Sequence, residues 1–168
     1  MFKLTTERLT LRELTDNDAP FILALLNDPD FIRTIGDRAV RTLDDARAYI
    51  RNGPVASYAQ NGHGLWRVAL AGADTPIGMC GLIKRAGLPD PDIGYAYLPE
   101  FRSKGYAVEA AAATLAFARD NLKLARLLGI TSMDNDRSGK VLERIGLRRD
   151  GEVRLPDGAE CNVFSIDF

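Results

Sequence analysis

DIGYAYLPEFRSKGYA, residues Asp92–Ala107, joins three unlike pieces of chain. Asp92–Leu98 is a short apolar strand pattern, and Pro99 breaks it. Arg102, Gly105 and Ala107 follow in the spacing Arg-x-x-Gly-x-Ala, and a long alanine-rich helical run begins at once. A strand that feeds a glycine turn into a helix start aims several backbone N–H groups at one point. The helix dipole adds partial positive charge there, so the junction suits a phosphate.

The flanking chain supplies a framework for that junction. Arg8–Leu14 alternates as a strand, and Thr15 is placed to cap a helix over Asp16–Asn27. Thr42 opens a second helix through about Asn52, which Gly53-Pro54 interrupts, and a shorter helix to about Gln60 follows. Leu65–Leu70 and Pro76–Arg85 read as a hairpin around Ala71–Thr75, and Leu88–Asp92 is a second turn-rich connection. After Asp92–Leu98 the pattern predicts a helix over Gly105–Asn121, with Ala107, Ala111, Leu115, Ala118 and Leu122 at helical spacing. A strand at Arg126–Ser132, a helix at Ser138–Ile145 and strands at Leu147–Arg154 and Glu160–Phe168 complete it, with Gly146 at a helix C′ position. The order β-α-α-β-β-β-α-β-α-β-β is that of an α+β fold rather than a doubly wound dinucleotide fold. No internal repeat divides the 168 residues, and the expectation is one domain over 1–168.

Composition narrows the function classes. Twenty-two basic residues against 23 acidic ones leave a net charge of −1, so no basic footprint for nucleic acid stands out. MFKLTTERL lacks the apolar core of a signal peptide, and no apolar run reaches membrane-spanning length. Cys80 and Cys161 are far apart and read as reduced, buried, structural thiols of a cytoplasmic protein. His63 is the only histidine, which excludes a zinc site built on two or three imidazoles. No metal is expected. In Asn-Gly-His-Gly, His63 reads as a loop residue, and Trp66 and Tyr95 as core or cleft-wall aromatics.

Element order and two motifs in register resemble the GNAT superfamily of acyl-CoA N-acyltransferases, over nearly the whole chain. The first is Arg102-Ser103-Lys104-Gly105-Tyr106-Ala107, which looks like that family's pyrophosphate loop. The second is Asn135-x-x-Ser138 followed by Val141–Leu147, similar to the late motif of the ribosomal-protein N-terminal acetyltransferase (RimJ/RimL-type) branch. Thr6-Glu7-Arg8-Leu9-x-Leu11-Arg12 and Asp92–Tyr95 resemble that branch too. The resemblance implies a mixed, mostly antiparallel central sheet with a splayed pair of strands and flanking helices. It implies acetyl-CoA as co-substrate, held at Tyr97, Leu98, Arg102, Ser103, Lys104, Gly105, Tyr106, Ala107, Asn135, Ser138 and Lys140.

The residues suit that ligand on their own chemistry. Glycine lets the chain approach a pyrophosphate closely, and Arg102 and Lys104 can add charge-assisted contacts. The amides of the pantetheine arm need unpaired strand edge, which a splayed strand exposes. Asn135 and Ser138 also suit the start of a helix, and capping and cofactor contact are compatible roles.

Acyl transfer to an amine needs a base, an oxyanion donor and a stabilised leaving thiolate. A backbone N–H near Leu98 can serve the oxyanion. Asp92 can take the proton directly or through water, although Asp90 and Asp92 in Pro-Asp-Pro-Asp also read as turn residues. Asp92, Gly94, Ala96 and Leu98 share one strand face, and Gly94 and Ala96 would leave an open floor beside the acyl group. The resemblance places a tyrosine acid seven residues after the motif asparagine, where this chain has Leu142. Ser138 remains as a hydrogen-bond donor to sulfur, sufficient for a thiol of pKa about 8–9. Ser103 stands where the family loop more often has glycine.

The reading is an N-acetyltransferase that joins acetyl-CoA and a primary amine, on a protein N-terminus or a small molecule, in a ternary complex. The alternatives are a non-catalytic acyl-CoA-binding module, which Leu142 keeps open, and a nucleotide- or partner-binding domain with a coincidental loop. The expected partners are the amine acceptor alone, with no nucleic acid and no membrane, in a monomer or homodimer.

Overall fold

The computed structural model describes residues 2–168. Eight strands form one sheet: β1 (Lys3–Thr5), β2 (Leu9–Arg12), β3 (Leu65–Leu70), β4 (Pro76–Ile83), β5 (Asp92–Tyr97), β6 (Arg126–Ser132), β7 (Arg148–Arg154) and β8 (Glu160–Asp167). Their order across the sheet is β1-β2-β3-β4-β5-β6-β8-β7, antiparallel throughout except at β5–β6. Six helices flank it: α1 (Ala19–Leu26), α2 (Pro29–Thr34), α3 (Leu43–Ile50), α4 (Ala56–Asn61), α5 (Tyr106–Asp120) and α6 (Asp136–Arg144).

Two apolar cores lie on opposite faces of the sheet. On one, Ala110, Ala111 and Ala118 of α5 are fully buried with Trp66, Ile77, Leu82 and Leu142. Small side chains let that helix sit close to β4 and β5. On the other, Ile22 and Leu25 of α1 and Ala46 and Ile50 of α3 pack on Met79. Side chains of β5 alternate between the two, with Ile93, Tyr95 and Tyr97 toward α5 and Ala96 and Leu98 toward α1 and α3.

The chain departs from its pattern in three places. Pro20 has no N–H to bond backward, so the residues after Thr15 first close a tight turn, Asp16–Asp18, and α1 starts only at Ala19. The Asp18 carboxylate accepts from Thr15 N–H at 2.8 Å and secures that entry. Gly53-Pro54 does not interrupt the second helical segment. Residues 51–55 form one wide turn in which Ala56 N–H reaches back five residues to the Arg51 carbonyl, and this removes the bond that Pro54 could not make. Two elements went unread: β1, too short to show a period, and α2. The start of α2 was nevertheless written in Asp28-Pro29, where Asp28 caps Phe31 N–H at 3.1 Å and Pro29 takes the first helical position.

Candidate active site

The site begins where one ladder stops. Strands β5 and β6 run parallel and pair only at Asp92↔Leu128 and Ile93↔Gly129. Beyond Ile93 they part, leaving a gap in the middle of the sheet. A cleft of about 1270 Å³ occupies this gap and runs from Gly105 and Ala107 at the start of α5, past Tyr95 and Ser138, to Thr34 and Tyr49 on the opposite side. A second depression of about 390 Å³, among Arg126, Arg148 and Asp167 at the far edge, holds none of the expected cofactor-binding residues.

Register settles which backbone groups face the gap. Leu98 N–H donates to the Ile77 carbonyl at 2.9 Å, and Leu98 O accepts from Phe101 N–H at 3.1 Å. Both polar groups of Leu98 are therefore spent, and neither the oxyanion role nor the pantetheine role expected of it is open in this structure. Bonding alternates along an antiparallel pair, so Ala96 and Gly94 also turn toward β4 while Tyr95 and Tyr97 turn into the gap. The open floor expected at Gly94 is covered as well. A Cβ added there would lie 2.8 Å from Ile83 Cδ1.

At the mouth of the cleft, Gly105 stands before α5 with φ +82°, and no side chain caps the helix. The N–H groups of Tyr106, Ala107 and Val108 have no intrahelical partner by position, which is the anion-binding geometry the spacing predicts. Ser103 also lies in the left-handed region, at φ +61°. A non-glycine residue there is strained by about 1–2 kcal/mol. Ser103→Gly should raise thermal stability by about 0.5–1 kcal/mol, after the extra freedom of the unfolded chain is counted, with ligand affinity changed less than about threefold. Calorimetric unfolding and titration check both halves.

Arg102 does not face the loop. Its Nη1 donates to Asp30 Oδ2 and its Nη2 to Asp28 Oδ2, each at 2.6 Å. Nε and Nη2 also donate to the Tyr97 carbonyl at 3.1 and 2.9 Å. The expected pyrophosphate contact is replaced by a brace between the end of β5 and the start of α2. Free cations lie instead on α6. Arg137, Lys140 and Arg144 line the cleft and form no salt bridge among the described residues.

Asn135 caps α6, its Oδ1 accepting from Ser138 N–H at 3.2 Å. The Tyr95 hydroxyl lies 2.8 Å from Ser138 Oγ and 2.9 Å from the Ser138 carbonyl oxygen. Leu142 is 1% exposed and packs against Gly129, where even a methyl group would not fit. Asp92 is buried at the closed end of the gap, with Arg85 Nε and Nη2 each 3.3 Å from its oxygens. Burial pushes its carboxyl above the ordinary range, and Arg85 opposes this only in part. His63 is buried, with Nδ1 3.3 Å from the Leu82 carbonyl; burial lowers its affinity for a proton. Cys80 and Cys161 are both free, and burial pushes the Cys80 thiol up to about 12. Among the described residues, no cluster of three or more His, Cys, Asp or Glu could hold a metal.

Tyr95 lines the cleft wall, as its reading as a core or cleft-wall aromatic expects, whereas Arg8 and Glu109 are loop-supporting residues that the motifs did not assign. Arg8 lies 4.5 Å over the Tyr106 ring, donates from Nε to Glu109 Oε2 at 2.6 Å and from Nη1 to the Lys104 carbonyl at 3.0 Å. Glu109 Oε1 accepts from Thr6 Oγ1 and Arg8 N–H at 2.6 and 2.8 Å. These bonds outweigh burial and hold the Glu109 carboxyl below its ordinary value. They tie the β1–β2 connection to the first turn of α5. The only advance signal was Thr6-Glu7-Arg8-Leu9, which carries no chemistry until α5 is placed beside it.

A central sheet opened between two parallel strands, with an uncapped helix start at the opening, defines an acyltransferase architecture. Residues 8–148 match the acetyltransferase (GNAT) domain, and the chain belongs to that family of N-acetyltransferases. It is 30% identical over 159 residues to the uncharacterized N-acetyltransferase YnaD of Bacillus subtilis (strain 168), across 94% of this chain and 90% of that one. An acetyltransferase structure from Agrobacterium tumefaciens str. C58 superposes with a TM-score of 0.86 at 27% identity, over 100% of this chain and 95% of that one. RimL, a ribosomal L7/L12 alpha-N-protein acetyltransferase in complex with coenzyme A, shares the fold with a TM-score of 0.86 at 14% identity, over 99% and 98% of the two chains. No described helix is long and apolar enough to cross a membrane.

Proposed function

We propose that this chain is an acetyl-CoA-dependent N-acetyltransferase that moves the acetyl group to a primary amine by direct attack in a ternary complex. The observation that carries the reading is the coincidence of two features. The β5–β6 ladder ends after two residues, and the uncapped start of α5 lies at the mouth of the gap this leaves. The pyrophosphate fits the N–H groups of residues 105–108, with Lys104 beside them. The adenosine phosphates suit Arg137, Lys140 and Arg144, whose charges have no carboxylate partner among the described residues. The pantetheine amides suit the free edge at Tyr95 and the N–H of Tyr97, with the Asn135 amide opposite.

In the transfer step, a gap-facing N–H of Tyr95 or Tyr97 takes the oxyanion role that Leu98 cannot fill. Asp92 accepts the amine proton, directly or through water, and Ser138 donates to the departing sulfur. The acceptor enters from the Thr34–Tyr49 side; a protein N-terminus and a small amine both fit that description. One acetyltransferase unit over 1–168 is supported by the single sheet to which every described strand belongs. Two free, buried cysteines suit a cytoplasmic setting.

CoA thiol release with acetyl-CoA and a panel of amines and N-terminal peptides tests the reading. Turnover with at least one acceptor supports it; tight binding with no turnover would favour the non-catalytic module. Asp92 must be ionised to act, so the acid limb of kcat/KM should lie above the ordinary carboxylate value of about 4. Asp92→Asn should remove that limb and about 10²-fold of the rate. The linkage runs the same way. A carboxyl whose folded pKa is raised contributes stability that is complete below the unfolded pKa, near 4, and is lost as pH rises through the folded value. Unfolding of Asp92→Asn should show less pH dependence in that window.

A further inference from the structure

Tyr95 is the first β5 residue past the last β5–β6 rung whose backbone faces the gap, and its side chain reaches across to α6. The hydroxyl meets Ser138 twice, at Oγ (2.8 Å) and at the carbonyl oxygen (2.9 Å). It is thereby the direct link between the two walls at the point where the proposed reaction places the leaving sulfur.

Two hydroxyl groups with one hydrogen each can share this contact in two ways. In one, Tyr95 donates to the Ser138 carbonyl and Ser138 donates to Tyr95. In the other, Tyr95 donates to Ser138 Oγ, and the serine hydrogen is free to point into the cleft. The Ser138 carbonyl already has the usual helical position to accept from Leu142 N–H, so the second arrangement leaves no acceptor stranded. A thiolate in the cleft selects it, because a hydrogen bond to an ion is stronger than one between neutral groups.

We infer that Tyr95 is a positioning residue for the leaving thiol: it holds Ser138 Oγ by donating to it and so presents the serine hydrogen to sulfur. Burial keeps the phenol protonated well beyond its ordinary range, which maintains it as a donor at every working pH. Tyr95 occupies a place that the sequence gap at Leu142 left vacant, but it works through serine rather than by giving up its own proton. Nothing is oxidised or reduced: the C–N bond forms as the C–S bond breaks, the amine proton passes to Asp92, and sulfur leaves as a thiolate that Ser138 hydrogen-bonds and that takes its proton from water after release. The inference rests on the acetyl-CoA reading given above.

The test uses Tyr95→Phe, which keeps the ring, with Ser138→Ala and the double variant. Free CoA is titrated on each protein, following thiolate absorbance in the ultraviolet, and kcat is measured with acetyl-CoA. Tyr95→Phe should raise the pKa of the bound thiol and lower kcat roughly tenfold at nearly unchanged KM for acetyl-CoA. The double variant should be no worse than Ser138→Ala alone. A bound thiol that titrates identically in wild type and Tyr95→Phe, or losses that multiply in the double variant, would overturn the role of Tyr95. Either result leaves acetyl transfer standing. Wild-type protein that binds no CoA would instead overturn both readings.

Discussion

Gly105→Glu should eliminate measurable binding of acetyl-CoA and CoA while the protein stays folded. The backbone at 105 has φ +82°, where an L side chain is strained by about 1–2 kcal/mol. A Cβ there would lie only 3.2 Å from Arg8 Nη2, the guanidinium that supports the loop through Glu109 and Lys104. The new carboxylate would be drawn to that arginine and would occupy the pole of α5 where phosphate is proposed to sit. Like charge then opposes the pyrophosphate at the place where three N–H groups should attract it. The expected loss in affinity is at least about 100-fold, or roughly 3 kcal/mol, read by calorimetric titration, with circular dichroism reporting that the fold persists. Unaltered affinity in a folded variant would remove the loop from the donor site.

Arg102→Ala should produce the largest loss of stability among single changes near the cleft. It leaves Asp28, whose side chain is 8% exposed, without its counter-ion, and frees the Tyr97 carbonyl from two donors. Removing one member of a fully buried pair costs about 3–5 kcal/mol; because Arg102 is 21% exposed, about 2 kcal/mol is expected here. Arg102→Lys should rescue little, since the three donors of a point-like ammonium cannot reproduce the four bonds made by the planar guanidinium. The brace joins helix α2, on the proposed acceptor side, to strand β5, on the proposed donor side. The variant should therefore also raise KM for the acceptor more than KM for acetyl-CoA. Equal stability with and without Arg102 would show the brace to be superficial.

These two residues illustrate what could be read ahead of the fold. The turn at Gly105 was legible because its demands are local, a left-handed residue between a strand and a helix start. Arg102 was legible as a cation and misassigned as a ligand, because its carboxylate partners lie 72 and 74 residues earlier in the chain. Leu98 failed for a subtler reason. Which of two adjacent amides faces a gap depends on the register with β4, and a shift of one residue reverses it. The alternation of side chains along β5 could be read without the partner strand; the direction of its N–H groups could not. Arg8 and Glu109 are 101 residues apart, so no spacing announces their pairing. Most of the element order came through because apolar period and turn residues are short-range signals, whereas the splayed, mostly antiparallel sheet was implied by the family resemblance. Gly53-Pro54 misled for the same reason: a local breaker was absorbed by a wider turn, with Pro54 buried and Ala56 N–H reaching the Arg51 carbonyl.

The two-residue contact between β5 and β6 also has a mechanical meaning. Strands β1–β5 and β6–β8 are two plates joined by a seam one step long, with α5 and α6 bridging it from one side. A guest molecule with amides along its length can supply the absent rungs, so the sheet becomes continuous only when occupied. On the proposed reading, loading the donor would itself be a folding event on a small scale, and the stiffened seam would be the frame against which the second guest is aligned.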